Sequence, residues 1–195
     1  VNTIGWIEQI DQIVDSVIGE YKDLIDFTLP NGWIITQVAV RISLPGDNEL
    51  GLHTDTDGEF GIGILLNDWF AESATTCFLP GTHKWPFTFR EITGFPRIPT
   101  FFINKIGLLK TAKGEAGTSY FFDHNTLHGR MANNTKKQNI AILVSIFDIK
   151  KAPRIFDNNV INNLESKFSN FSNGLLGSSK NSNKFIIPKD LESNY

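Results

Sequence analysis

The sequence is poor in cysteine and has no excess of basic charge. Cys77 is its one cysteine among 195 residues, and 18 Lys and Arg stand against 21 Asp and Glu, for a formal net charge of -3. A lone cysteine cannot form an internal disulfide, which is typical of a chain in a reducing compartment. Because no basic stripe is present to follow phosphates, we expect no nucleic-acid partner.

The sequence also lacks any hydrophobic run that approaches the ~20 residues of a membrane span. Its first residues carry no basic region followed by an apolar one, so we expect no membrane association and a cytoplasmic location. Hydrophobic residues nevertheless make up 41% of the chain and charged residues 20%, which is the composition of a folded globular protein. The length fits one domain with a sizeable core.

Apolar periodicity predicts one helix followed by many short strands. Ile, Val and Leu at steps of three and four predict an amphipathic helix over residues 4–25. Stretches rich in β-branched and aromatic residues predict strands at 33–44, 61–66, 75–79, 98–110, 118–122, 126–131 and 138–147. This pattern indicates a mainly β fold of two packed antiparallel sheets.

We expect a single domain over residues 1–157. Residues 158–195 are rich in Asn and Ser, which predicts a flexible or loosely docked tail. Within the domain, residues 85–102 interleave aromatic side chains with prolines, a composition that excludes a regular helix. We predict that this segment is a loop packed over the sheets and that it forms part of the wall of a ligand pocket.

The candidate chemistry lies at His53-Thr54-Asp55 and at His128. In an extended segment alternate side chains share a face, so His53 and Asp55 project to the same side. Turn sequences flank both positions, which puts the candidate ligands at strand ends. Two imidazoles and one carboxylate with open positions opposite are the usual ligands of non-heme Fe(II) oxygenases. His53, Asp55 and His128 are therefore the predicted metal ligands and catalytic residues.

Three segments together carry a family resemblance: 52–55 around the His-Thr-Asp tripeptide, 78–84 with Pro80-Gly81-Thr82-His83, and 117–135 with Leu127-His128-Gly129. They resemble the phytanoyl-CoA dioxygenase-like family of Fe(II)/2-oxoglutarate-dependent oxygenases, and the likeness covers roughly residues 33 to 148. The resemblance implies a double-stranded β-helix of the jelly-roll, cupin-like type, with the N-terminal helix packed on it.

The resemblance also implies an activity. Fe(II) would act with 2-oxoglutarate and O₂ as co-substrates to hydroxylate, or desaturate, a small organic substrate. Related halogenases replace the ligand carboxylate by a small residue, whereas this chain retains Asp55, so hydroxylation or desaturation is favoured over halogenation.

In the family, an arginine on the strand after the distal histidine binds the distal carboxylate of 2-oxoglutarate, and this chain has Asn139 near that place. Arg130 shares strand parity with His128, so we predict that it anchors the co-substrate instead. Arg41 and Lys137 are weaker alternatives, and a surface position for Arg130 stays open.

Two further histidines bear on the site. His124 has the same parity as His128 and competes with it as the distal ligand, although the Leu127-His128-Gly129 match favours His128. We expect His83 to lie in a turn, in solvent or supporting a ligand.

Two other functions stay open. One is a jelly-roll metal- or ligand-binding protein without turnover, which the missing arginine favours. The other is a cupin-like enzyme that uses another divalent metal and no keto acid.

Overall fold

The computed structural model describes residues 8–70, 74–85 and 100–151. Helix α1 covers Glu8–Thr28, a short 3₁₀ helix covers Thr82–Lys84, and α2 covers Thr100–Lys105. Eight strands are present in these ranges: β1 Trp33–Ser43, β2 Leu50–His53, β3 Glu59–Leu65, β4 Thr76–Leu79, β5 Lys110–Thr111, β6 Ser119–Asp123, β7 Leu127–Arg130 and β8 Asn139–Asp148.

The strands form two four-stranded sheets. One has the order β1-β8-β3-β6, and the other has the order β2-β7-β4-β5. The β3–β6, β2–β7, β4–β7 and β4–β5 pairs are antiparallel. The predicted mainly β fold of antiparallel sheets with few helices is therefore confirmed.

The chain divides into two compact units, the first made of Val1–Gln37 with Val144–Tyr195 and the second of Val38–Leu143. In the first unit, the apolar face of α1 is buried through Val14, Ile18 and Ile25. The Trp33 indole donates a 3.0 Å hydrogen bond to Asp26, which joins the helix to the start of β1. The predicted domain boundary at residue 157 stays a prediction.

In the second unit, aromatic side chains lie between β3, β4 and β6. Gly63 faces Tyr120 across the β3–β6 pair, and Gly61 faces Phe122. A side chain at either glycine would collide with the facing ring, so the absence of Cβ atoms on β3 makes room for these rings. The Tyr120 hydroxyl lies 2.9 Å from Thr76 Oγ1, which links β6 of one sheet to β4 of the other.

The predicted strand over 98–110 is wrong in its first half. Residues Thr100–Lys105 form α2, and the strand is reduced to Lys110–Thr111. The aromatic and β-branched residues of this stretch favour a strand, but Ile103 of the helix packs against a buried cluster of Leu52, Leu109 and their neighbours. Tertiary burial overrides intrinsic propensity here.

Two predictions fall mostly outside the described residues. The aromatic segment is described only at Trp85 and from Thr100 onward, where α2 replaces the expected loop. The Asn- and Ser-rich tail over 158–195 lies wholly outside the description, as do residues 1–7. In the part of the chain that is described, no helix is long and apolar enough to cross a membrane.

The contrast between two glycines gives a stability test. We expect Gly63→Ala to lower the free energy of unfolding by about 1–3 kcal/mol, because its Cβ collides with the Tyr120 ring. Gly19→Ala, on the exposed side of α1 with nothing within 4 Å, should raise it by about 0.5–1 kcal/mol. Urea unfolding of both variants measures the difference, and equal effects would contradict this packing of β3.

Candidate metal centre

The pairing of β2 with β7 brings the two predicted histidine ligands side by side. Leu50 is opposite Arg130 and His53 is opposite His128, so β2 carries one extra residue between these pairs. Such a bulge re-aims the side chains that follow it. The two imidazole centroids lie 4.6 Å apart.

Gly129 permits this close pairing. A Cβ at this position would collide with the Leu50 carbonyl oxygen, so a larger residue would push β2 and β7 apart. Thr82 fixes the other side of β7, since its hydroxyl accepts a 2.7 Å hydrogen bond from the Leu127 N–H and donates to the Leu79 carbonyl. These contacts give a structural reason for the Gly-Thr-His and Leu-His-Gly sequences noted above.

Both histidines are held in the same way. His53 Nδ1 lies 2.9 Å from the Gly51 carbonyl oxygen, and His128 Nδ1 lies 2.9 Å from the Thr126 carbonyl oxygen. A carbonyl oxygen can only accept, so Nδ1 is the donor in each contact and Nε2 is the ring nitrogen on the side of Asp55. A metal ion would therefore be bound through Nε2, with displacement of any proton on it.

Asp55 completes the group. Its Oδ1 lies 3.7 Å from His53 Nε2 and its Oδ2 lies 3.2 Å from His128 Nε2. One ligand atom from each of the three residues lies within 4.8 Å of the others, a spacing suited to a metal ion. The predicted approach of His53 and Asp55 on one side is observed, although β2 ends at His53 and Asp55 follows it.

The charge of Asp55 is stabilised by its neighbours. Burial alone would raise the pKa of this carboxyl, but the hydrogen bond from His128 and the attraction of the His128, His124 and His53 rings hold the pKa well below its ordinary value. The carboxyl is therefore ionised over the whole neutral range, which is the form that ligates a cation.

His124 lies beside this group and outside it. Its Nδ1 is 3.4 Å from Asp55 Oδ2 and 3.3 Å from Glu59 Oε1. The sequence predicts His124 only as a competing ligand and gives no role to Glu59. The periodicity of the sequence carries no signal for this contact, because the turn between β6 and β7 determines where the His124 ring lies.

Arg130 lies at the end of β7, where its guanidinium already makes hydrogen bonds and an ion pair. Its NH1 lies 3.1 Å from Ser43 Oγ and 3.4 Å from Asp47 Oδ2, and its NH2 donates to the Asn48 carbonyl at 2.9 Å. Its Nε is buried and has no hydrogen-bond partner among the described residues. Arg130 therefore forms an ion pair with Asp47 and also has one N–H donor, Nε, that is unused among the described residues.

The other two predicted co-substrate residues differ in burial. Asn139 begins β8 and is 2% exposed, and its Nδ2 has no hydrogen-bond partner in the described part of the chain. By strand parity it shares the face of Ala141, which belongs to the cluster that Tyr120 packs against. Arg41 is exposed on β1. His83 is exposed in the 3₁₀ helix, and the predicted turn is confirmed.

No protein-family model matches the chain, and no curated protein matches it. Solved structures do match the chain. EctD from S. alaskensis with bound Fe is 18% identical, with a TM-score of 0.58 over 73% of this chain and 56% of that one. SnoN, a non-heme alpha-ketoglutarate-dependent epimerase from nogalamycin biosynthesis, is 17% identical, with a TM-score of 0.54 over 71% and 61%.

The chain shares its fold with these proteins. AviO1 from Streptomyces viridochromogenes Tue57 has the same fold at 17% identity, with a TM-score of 0.51 over 66% of this chain and 57% of that one. The predicted cupin-like class is confirmed by these neighbours, and the narrower phytanoyl-CoA dioxygenase-like branch stays a prediction. The chain covers less than two thirds of the length of each of these three neighbours.

Cys77 lies one strand from His128 but is not part of the group. It is opposite Gly129 in the β4–β7 pair and fully buried, as predicted for a core residue. Burial, together with the nearby Glu49 charge, raises the pKa of its thiol to about 12. The thiol is therefore protonated near neutral pH and is a poor metal ligand.

This burial predicts the reactivity of Cys77. At pH 8 only about one thiol in ten thousand is ionised, so the folded chain should react with a disulfide reagent at least a hundredfold more slowly than the unfolded chain. Absorbance of the released thiolate measures both rates. Comparable rates with and without denaturant would contradict the packing of β4.

Proposed function

We propose that the chain is a non-heme Fe(II)- and 2-oxoglutarate-dependent dioxygenase that hydroxylates a small organic substrate. The observation that carries this proposal is the meeting of His53 Nε2, an Asp55 oxygen and His128 Nε2 within 4.8 Å. The fold of the structural neighbours supports it, and so does the EctD structure described with 2-oxoglutarate and 5-hydroxyectoine, which is 17% identical with a TM-score of 0.56.

The donor set fits Fe(II). Two neutral imidazoles and one carboxylate are the ligand types of a 2-His-1-carboxylate centre, which leaves other coordination positions open. In this chain the Nδ1 contacts already turn Nε2 of both imidazoles toward Asp55, and Asp55 is already ionised. Little reorganisation is needed on binding, because the backbone carbonyls of Gly51 and Thr126 hold the rings.

Bound iron would couple the decarboxylation of 2-oxoglutarate by O₂, which yields succinate and CO₂, to the insertion of the second oxygen atom into a C–H bond of the substrate. The protein's own task is to hold the reactants and to exclude water. Phe122 contributes to the second task, since its ring packs against the His128 ring in a T-shaped contact with centroids 5.0 Å apart.

For the distal carboxylate of 2-oxoglutarate we propose Arg130, assisted by Asn139. Each has a buried nitrogen donor without a hydrogen-bond partner among the described residues, Nε of Arg130 and Nδ2 of Asn139. A buried donor without a partner costs free energy, and an incoming carboxylate removes that cost. Arg41 is the alternative, and its exposure on β1 makes it weaker.

The metal assignment predicts a sharp difference between two histidine variants. The parent chain should bind about one equivalent of Fe(II) and form succinate from 2-oxoglutarate under air, whereas His128→Ala should do neither. His83→Ala, which alters an exposed histidine, should match the parent. Anaerobic metal analysis and NMR detection of succinate measure both properties. Metal retained by His128→Ala would contradict the assignment.

The anchor assignment is tested with anaerobic calorimetry of 2-oxoglutarate binding to the metal-loaded chain. Arg130→Ala should weaken binding at least tenfold, because hydrogen bonds to charged groups contribute about 1.5–3 kcal/mol. Asp47→Asn removes the ion pair of Arg130 and keeps the guanidinium, so it is the matched control and should bind at least as tightly as the parent. Parent-like affinity in Arg130→Ala would exclude this anchor.

A binding protein without turnover is the second candidate function. The engagement of the Arg130 guanidinium by Asp47 favours it, since that charge is then partly neutralised before any ligand arrives. The same experiments separate the two functions. A chain that binds Fe(II) and forms no succinate, with or without candidate substrates, would be the binding protein.

A further inference from the structure

A histidine and a glutamate beside the candidate metal centre lie outside the ligand group. His124 is 8% exposed, and the Glu59 side chain is 15% exposed. His124 Nδ1 lies between two carboxylates, 3.4 Å from Asp55 Oδ2 and 3.3 Å from Glu59 Oε1. A lone pair on this nitrogen would be repelled by both carboxylates, which places the hydrogen on Nδ1. Neither contact is aligned as a hydrogen bond, and Nδ1 is buried without a hydrogen-bond partner among the described residues, so it is an unused donor beside Asp55.

The backbone joins the same three residues. The Asp55 N–H donates to the His124 carbonyl at 3.0 Å, and the His124 N–H donates to the Glu59 carbonyl at 3.0 Å. His124 therefore contacts Asp55 twice, at its main chain and at its carboxylate. The segment that begins β3 and the turn before β7 are thus tied to the one acidic member of the ligand group.

The His124 ring is fixed in place from two further sides. A Cβ at position 61 would collide with His124 Nε2, so the ring occupies space that only glycine leaves free. The Phe122 ring packs against it with centroids 4.7 Å apart. A ring held this firmly is a stable support for a hydrogen bond, because little side-chain entropy remains to be lost.

We propose that His124 is a positioning residue. When the site is filled, its Nδ1–H donates to the Asp55 carboxylate and holds it in one rotation, so that the carboxylate presents an oxygen to the space between the Nε2 atoms of His53 and His128. Glu59 in turn orients the His124 ring. The inference rests on the proposed function, because it assigns a role toward the metal site proposed there.

The test measures Co(II) binding to the 195-residue chain in the absence of Fe(II) and O₂. His124→Phe keeps an aromatic ring against Phe122 and removes the donor. It should weaken Co(II) binding by about 10–100-fold, the usual cost of losing a partner that orients a metal ligand. The visible absorption of bound Co(II) should also change, since the carboxylate then ligates in another orientation. His83→Phe, at an exposed histidine, is the matched control.

Two amide variants keep the test informative if His124→Phe fails to fold. An Asn amide places its N–H₂ where Nδ1 lies, whereas a Gln amide places it one atom further along the side chain. His124→Asn should recover most of the parent affinity and the parent Co(II) spectrum, and His124→Gln should recover neither. A purely structural role for the ring would lower the melting temperature in all variants and leave the spectrum of bound Co(II) unchanged.

The failures of the two proposals are distinguishable. Parent-like Co(II) affinity and spectrum in His124→Phe, or equal affinities in the Asn and Gln variants, would overturn the positioning role alone. Complete loss of Co(II) from a folded His124→Phe would also overturn it, by making His124 a ligand. A parent chain that binds Co(II) but forms no succinate when loaded with Fe(II) would contradict the oxygenase and leave the positioning role intact. A parent chain that binds no Co(II) would overturn both.

Discussion

The bulged pairing of β2 with β7 is the constraint on which the candidate site depends. One extra residue on β2 brings His53 opposite His128, and Gly129 lets the strands approach closely enough for their rings to share one space. Each Nδ1 then donates to the carbonyl of the residue two positions earlier, which turns Nε2 of both rings toward Asp55. The orientation of the rings is thus a property of the fold.

Electrostatic interactions also keep Asp55 ionised in this arrangement. Asp55 lies among three imidazoles, and their contacts outweigh the burial that would otherwise favour its neutral form. Arg130 and Asp47 form a separate pair where β7 ends, next to the buried Ser43. Several buried polar atoms of this unit lack a hydrogen-bond partner among the described residues, and the nitrogen donors among them are Arg130 Nε, Asn139 Nδ2 and His124 Nδ1.

Local patterns were enough to predict the mainly β fold class and the approach of the candidate ligands. His53 and Asp55 are separated by one residue, so strand parity alone predicts their approach, and the alternation of strands and turns predicts two antiparallel sheets. The helix Thr100–Lys105 could not be predicted in this way, because the burial of Ile103 depends on Leu52 and Leu109 from elsewhere in the chain. The same holds for His124 with Glu59 and for Arg130 with Asp47, whose contacts join segments that only the folded chain brings together.

The most direct test of the account is anomalous diffraction at the iron edge from crystals of the chain loaded anaerobically with Fe(II). The account predicts one peak bonded at about 2.0–2.2 Å to His53 Nε2, His128 Nε2 and an Asp55 oxygen, the usual lengths for such ligands. A peak bonded to other residues, ligation through either Nδ1 atom, or no peak at saturating Fe(II) would contradict it.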